Sequence, residues 1–590
     1  MELLPHVIIG IVVIAGSTVL ARRLSVAGPL VLVAIGLVAS LFLPKFSVDP
    51  ELILAGVLPP LLFAAAVRLP AIEFRRDARP IAGLAVLLVV ISSLVLGTFF
   101  FLMIPALDFA LAVALGAILS PTDAVATSIV KKLGISPRVV TMLEGESLLN
   151  DATALVLLRS AVAAVAAGFS FWGTVGTFAW GVLVAIVVGV VIGLLALRVR
   201  KWLANSAAST AIGFVVPFAA YVPTEHLGGS GLVAAVVAGI TVGQGAVRWF
   251  TAEERISDQL NWRTIEFLLE GAVFLIMGLE LRDLVSANVE KHNGVGVAIG
   301  LALAALGIVL VVRALYVAAL VALQGRRVRN NAHRARLEAI NDRLDAFDPA
   351  APPAPRGAKA SGFRMKAARR LAQDPDAAQR RVEGVRERIR RSLRDLDYYQ
   401  SSPLGWKHGT VIVWAGMRGV VTLAAAQTLP QETPQRELLI FTAFLVALIS
   451  LLLQGLTLPW VIRVLRIPPA AQTTDAGAEL ARLRGELRDA AVARLQQPGL
   501  TDADGAAFDD RLLAGVGARM TEPPTDDAEL SATAMRELRL VLIDAMRQRL
   551  AELSHEGSYA SETLRHALAE LDADQMSLEI RRDDAGGQAS

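Results

Sequence analysis

The chain has no cysteine among its 590 residues. That excludes a disulfide framework, thiol catalysis and a Cys-ligated metal. Charge is also scarce: Asp, Glu, Lys and Arg make up 19% of the residues, against roughly 25% in a soluble globular chain. Apolar residues take their place, with 54% hydrophobic and a mean hydropathy of +0.54. These proportions define an all-α polytopic membrane protein. The charge that is present is uneven, sparse over 1–325 and dense over 326–400 and 470–590. The N-terminal MELLPHVIIGIVV has neither a basic n-region nor a small-residue cleavage site. It reads as the first span and not as a removed signal peptide.

Apolar runs of spanning length occur near 3–21, 27–43, 51–67, 80–104, 109–130, 142–166, 172–197, 207–223, 230–247, 264–281, 295–322, 405–428 and 437–464. About 13 transmembrane helices are therefore expected. Loops after odd-numbered spans hold fifteen Lys and Arg residues, Arg22, Arg68, Lys131, Lys132 and Arg138 among them, and loops after even-numbered spans hold four. That bias predicts an N-terminus outside and a C-terminus in the cytoplasm. Three regions are expected: a transmembrane domain over 1–466, a basic cytoplasmic loop inserted at 326–403, and an acidic cytoplasmic tail over 470–590.

Polar residues fall at one depth. Asp151 in GESLLND lies ten residues into its span, or ~15 Å at 1.5 Å per residue, half of a ~30 Å hydrocarbon core. Thr122 and Asp123 lie ~13 Å from the cytoplasmic end of span five by the same rise. Arg313 in VVRALYV and Arg418 in GMRGVVT fall at comparable depth. An unpaired charge there costs roughly 2.5–3.5 kcal/mol even on the lenient insertion scale. These groups must pair with one another or face a water-filled cavity. Glu146 with Asn150, and Ser147 with Asp151, stand one turn apart on neighbouring faces of one helix. Interhelical glue would explain any one of them, but it does not need four charges.

Two spans carry breaks at that depth. Ser120-Pro121 precedes Thr122-Asp123 in span five, and Gly416 and Gly419 flank Arg418 in span twelve. Proline removes a helical hydrogen bond, and broken helices in a membrane belong beside cavities or inside protein. Span five is the fifth of spans one to six, and span twelve is the fifth of spans eight to thirteen. The two six-span units start on opposite sides, which predicts two inverted six-helix repeats with broken crossing helices.

SPTDAVATSIVKKLG, LEGESLLNDATALVL, VVRALYV, GMRGVVTLAAA and LLLQGLTLPW together resemble the monovalent cation:proton antiporters, in their NhaP-like sodium/proton exchanger branch. The resemblance covers about residues 1–466. It implies a core domain with crossing broken helices, a dimerisation domain, a homodimer in the cell membrane, and alternating access serving pH and sodium homeostasis. By position, Asp151 then binds either cation or proton, Ser147 offers a hydroxyl and Thr122 a backbone carbonyl to the cation. Asn150 holds the crossing by hydrogen bonding, Glu146 pairs with Arg313, and Asp123 and Arg418 balance the half-helix ends. Asn150, where the electrogenic branch has Asp, implies electroneutral exchange of one cation for one proton. A hard monovalent cation takes oxygen ligands, and a desolvated carboxylate can hold either the cation or a proton. That competition is a coupling device needing no cofactor, metal centre or nucleophile.

The transported ions are expected to be sodium or lithium and the proton, with potassium of the same fold as the alternative. A cation channel or a non-transporting scaffold is the reading of a different class. An intramembrane hydrolase would need a nucleophile and base, and Ser230 and His226 lie near one surface without a motif. Glu144 reads as a charge at the cavity mouth. Glu266 and Glu270 read first as paired structural groups, with part of the cytoplasmic funnel as the alternative.

The loop 326–400 carries nineteen basic and ten acidic residues, net +9, and the tail 470–590 thirteen and twenty-three, net −10. Both read first as solvated charge. Attraction of the loop to anionic lipid, or pairing of loop with tail to regulate transport, are the functional readings. A loop tied between two membrane spans is a poor nucleic-acid site.

Overall fold

The computed structural model describes residues 3–328 and 403–467, apart from short gaps at 25, 44–47, 124, 168–170, 204, 251 and 291–293, with isolated positions between 389 and 399 and at 577. Most of the inserted loop and the tail lie outside the described residues, and with them the proposed pairing of loop and tail. The chain divides into two units after Pro468.

The regular structure of the first unit is all helical among its described residues. Its helices are α1 Leu3–Leu24, α2 Gly28–Ser40, α3 Leu52–Val67, the short α4 Ala71–Arg76, α5 Ala78–Met103, α6 Phe109–Leu119, α7 Val125–Lys132 and α8 Pro137–Ala167. There follow α9 Phe171–Leu203, α10 Ser206–His226, α11 Gly231–Trp249, α12 Ala252–Glu290, α13 Val295–Val328, α14 Trp406–Trp414, α15 Val420–Gln427 and α16 Arg436–Leu465. Seven of these (α1, α5, α8, α9, α10, α13 and α16) are long and apolar enough to cross a membrane by length and composition, and α2, α3, α6 and α11 are shorter apolar helices.

Helix α12 has 39 residues, well beyond the apolar run at 264–281. Its charged first turns are helical because a partner waits for them. Asp258 takes both terminal nitrogens of Arg200 from α9, at 2.8 and 3.4 Å, and Arg200 Nε donates to Ser209 at 2.8 Å. A hydropathy window sees only the charges.

Two packed groups of helices form the unit. In one, α5 packs on α6, α6 on α8, and α13 on α5, α14 and α16, with α15 against α16. In the other, α2 lies along α12, α3 along α11, and α9, α10 and α11 pack together. Gly36 and Gly278 bring the α2 and α12 backbones together, where an added methyl on either would overlap backbone atoms of the other helix. The two groups face each other across α8, α12 and α15, and the candidate site lies between them.

Candidate functional site

The interruption of span five is a non-helical stretch, Pro121–Asp123, between α6 and α7. Pro121 has no N–H to continue the ladder of α6. In span twelve, residues 416–419 leave the helix between α14 and α15. The two stretches touch: Asp123 N–H donates to Met417 O at 2.7 Å. Helix ends that would otherwise present bare dipoles therefore meet at membrane depth.

Charged side chains complement those ends. Arg418, 1% exposed, donates through Nε to Leu119 O, the last carbonyl of α6, at 3.1 Å. Its Nη1 donates to Gly416 O just beyond α14, and Ser450 accepts its backbone N–H at 3.0 Å. Asp123 Oδ1 accepts Val125 N–H at the start of α7, at 3.3 Å. Its carboxyl also lies against Gly419, where α15 begins and where a Cβ would overlap it. Guanidinium groups thus sit at C-terminal ends and a carboxylate between N-terminal ends, as the partial charges of half-helices require.

Glu146 and Arg313, 1% and 2% exposed, form a bidentate pair. Nη2 donates to Oε2 at 2.9 Å, and Nη1 to Oε1. Arg313 also donates to Ile412 O in α14 through Nε at 3.0 Å and Nη2 at 2.9 Å. Asn150 Nδ2 donates to Thr122 Oγ1 at 2.7 Å and lies 3.4 Å from Thr122 O. Thr122 Oγ1 in turn donates to Glu146 Oε1 at 3.2 Å. One connected network ties the α6–α7 break to α8, α13 and α14. A threonine hydroxyl so engaged is a structural group, and this role was not visible in the sequence.

Asp151 stands apart from that network. It is 7% exposed, and among the described residues it makes no hydrogen bond or ion pair. With Ser147, one turn earlier, it lines a cavity of about 900 Å³ that also takes in Thr122, Asp123 and Glu270. Towards the exposed Lys131 the wall carries Glu144, 3.9 Å from Lys131 Nζ, and the ion pair of Arg68 with Glu266. Glu266 is a paired group, as the sequence led us to expect. Glu270 is not: it lines the cavity without an ion pair or hydrogen bond among the described residues. The run NWRTIEFLLEG puts the two glutamates one turn apart, and only the packing of α3 supplies Arg68 to one and not to the other.

A second cluster escaped the sequence reading. Asp77, fully buried between α4 and α5, receives Nε and Nη2 of Arg138 at 3.0 and 2.9 Å. Tyr398 Oη donates to Asp77 Oδ2 at 3.1 Å, and Tyr399 Oη to Arg76 O at 2.6 Å. The Arg138 guanidinium lies 4.8 Å from the Tyr399 ring centre, and Gln324 accepts its Nη2 at 2.9 Å. Both ends of the insertion thus meet at the start of α8. Two tyrosines inside a charge-rich stretch were the available signal.

Two interrupted helices crossing beside a buried carboxylate, in an all-helical apolar bundle, define a multi-pass membrane protein of the NhaP antiporter fold. The structure of the sodium proton antiporter MjNhaP1 from Methanocaldococcus jannaschii superposes with a TM-score of 0.54 at 15% identity, covering 79% of this chain and 99% of that one. The family described as "Sodium/hydrogen exchanger, transmembrane" matches residues 9–337 and 393–464. The chain belongs to the sodium/hydrogen exchanger family. The unmatched stretch 338–392 falls within the inserted loop.

An uncharacterized Na(+)/H(+) exchanger of Escherichia coli is 36% identical over 302 residues, 49% of this chain and 55% of that protein. An uncharacterized Na(+)/H(+) exchanger of Mycobacterium tuberculosis is 27% identical over 95% of this chain and 94% of its own length. The sodium, potassium, lithium and rubidium/H(+) antiporter of Bacillus subtilis is 34% identical over 48% of this chain and 44% of that protein. The match thus spans about half the length of the E. coli and B. subtilis relatives. These relatives are exchangers and antiporters, not enzymes.

Proposed function

We propose that the protein is a secondary transporter exchanging sodium or lithium for protons by alternating access. The observation that carries the reading is Asp151: a buried carboxylate, without an ion pair or hydrogen bond among the described residues, at the wall of a cavity between two groups of helices. The charged groups of the helix crossing itself, Asp123, Glu146, Arg313 and Arg418, each have a partner that holds them. A carboxylate kept from partners is available to a cation or a proton, one at a time. Ser147 and the Thr122 carbonyl supply further oxygens, the donor type that hard cations take.

Exchange is electroneutral in this reading, one cation for one proton. Asn150 supports it, since its amide donates to Thr122 Oγ1, a bond an ionised aspartate in its place could not donate. The basic residues around the cavity, Arg68, Lys131, Lys132, Arg255 and Arg263, fit a mouth on the cytoplasmic side, with the N-terminus outside. Thirteen spans arranged as two inverted six-helix repeats, in a homodimer, complete the architecture. Potassium exchange is the second reading, favoured by the breadth of ions in the name of the B. subtilis relative.

The test is cation-induced collapse of a pH gradient in sealed vesicles holding the purified protein, with sodium, lithium and potassium compared. Sodium or lithium should dissipate the gradient in the parent, and Asp151→Asn should abolish the response. The apparent KM for the cation should rise in step with proton concentration, because both compete for one carboxylate. A response to potassium alone would select the second reading. Equal activity in Asp151→Asn would remove the site.

A further inference from the structure

The polar contacts between the two groups of helices are not spread evenly. On the cavity side the ion pairs among the described residues stay within a group: Arg68 with Glu266 joins α3 to α12, and Lys131 with Glu144 joins α7 to α8. Beyond the cavity the pattern reverses. Glu280, 4% exposed on α12, accepts Gln427 Nε2 from the end of α15 at 2.8 Å. Its other oxygen lies 3.4 Å from Val48 N, ahead of α3. Gln427 is itself held in place, because Arg436 donates to its carbonyl at 2.6 Å and to Leu429 O at 2.9 Å. Arg159 of α8 pairs with Glu225 at the end of α10, whose second oxygen accepts Gly231 N–H at 2.9 Å.

Position along the helices shows that these contacts lie on the far side. The lining residues of α12 run from Arg255 to Phe274, and those near α15 are Gly419, Val421 and Thr422. Glu280 comes ten residues after Glu270, ~15 Å further along α12 at 1.5 Å per residue. Gln427 ends α15 and Arg159 lies two turns past Asp151, in the same direction. The site is therefore open on one side and tied shut on the other.

We propose that Glu280 with Gln427, seconded by Arg159 with Glu225, forms the latch that holds the far side closed, and that each transport cycle must break it. This rests on the alternating-access reading above. A carboxylate buried between the two groups is well suited to the role, because a charge-assisted hydrogen bond is strong while closed. On opening, Glu280 gains water in exchange for its partner, so the two states stay within reach of each other.

The absence of cysteine makes the test direct. Glu280→Cys and Gln427→Cys together introduce the protein's first two thiols. In sealed vesicles they are treated, from the far side, with a short membrane-impermeant bifunctional methanethiosulfonate. Intact mass should show one reagent bridging both thiols. Exchange should then fall at least about tenfold and recover on reduction, while sodium binding by the purified bridged protein stays. A bridge that leaves exchange running overturns the proposal, and so does failure of any bridge to form, since the far side would then never open there. As a second variant, Gln427→Leu should lower the apparent KM for sodium on the far side relative to the cavity side by about tenfold. An unchanged ratio counts against the latch. The bridge is read by mass and exchange by flux with Asp151→Asn alongside, so loss of the antiport reading and loss of the latch give different results.

Discussion

Glu146 and Arg313 are worth little as separate residues and much as a pair. Each is almost wholly out of water and each satisfies the other, with Ile412 O and Thr122 taking the remaining hydrogen bonds. Removing one partner leaves a buried charge unpaired, which costs about 3–5 kcal/mol. Glu146→Ala should therefore lower stability by that order, read as a fall in the thermal unfolding midpoint in detergent. Asp151→Asn removes no partner from any described residue and should leave the midpoint nearly unchanged while abolishing exchange. The contrast separates a residue that holds the scaffold from one kept free for an ion.

At the scale of elements, the two broken helices depend on how closely their ends approach. Asp123 lies against Gly419 with no space for a side chain there, and its backbone N–H is bound to Met417 O. Gly419→Ala would push the Asp123 carboxyl away from the start of α15 and loosen the crossing. We expect exchange to fall by at least about tenfold, or 1.4 kcal/mol in the barrier, with the helix content by circular dichroism retained. The breaks themselves were legible, because proline and paired glycines mark them in the sequence. The match of guanidinium to C-terminal ends and carboxylate to N-terminal ends was foreseen only in outline. Which carbonyl each Arg418 nitrogen reaches depends on an approach between residues about 300 positions apart.

For the whole molecule, the inserted loop is tied to the helix that carries the site. Tyr398, Tyr399 and Gln324 converge on Asp77 and Arg138, at the start of α8. Burial, and then the Asp77 carboxylate, push the Tyr398 hydroxyl above the ordinary tyrosine range. Its bond to Asp77 is therefore complete below tyrosine's usual pKa of about 10 and is lost only as pH rises beyond that. Tyr398→Phe should cost about 1 kcal/mol of stability, equal at pH 6 and pH 8 by thermal unfolding. A loss confined to one of those pH values would contradict the assignment. The sequence reading took this stretch as solvated charge, since Tyr398 and Tyr399 sit among arginines and aspartates with no apolar period to mark a buried face.

Composition and hydropathy alone settled that the chain lives in a membrane as a bundle of helices, because lipid demands apolar surface and a satisfied backbone all along each span. Depth along those spans was enough to bring Asp151, Arg313 and Arg418 to one level, since a helix rises by a fixed step per residue. The pairing of Glu146 with Arg313 was implied only by the family resemblance. What the tertiary structure decided is everything that turns on lateral packing. It gave Glu266 a partner and Glu270 none, put Glu280 against Gln427, and seated two loop tyrosines on a buried ion pair. Rise per residue fixes how deep a side chain lies, but not which neighbour it meets at that depth. That choice comes from how helices far apart in sequence rotate and close against one another.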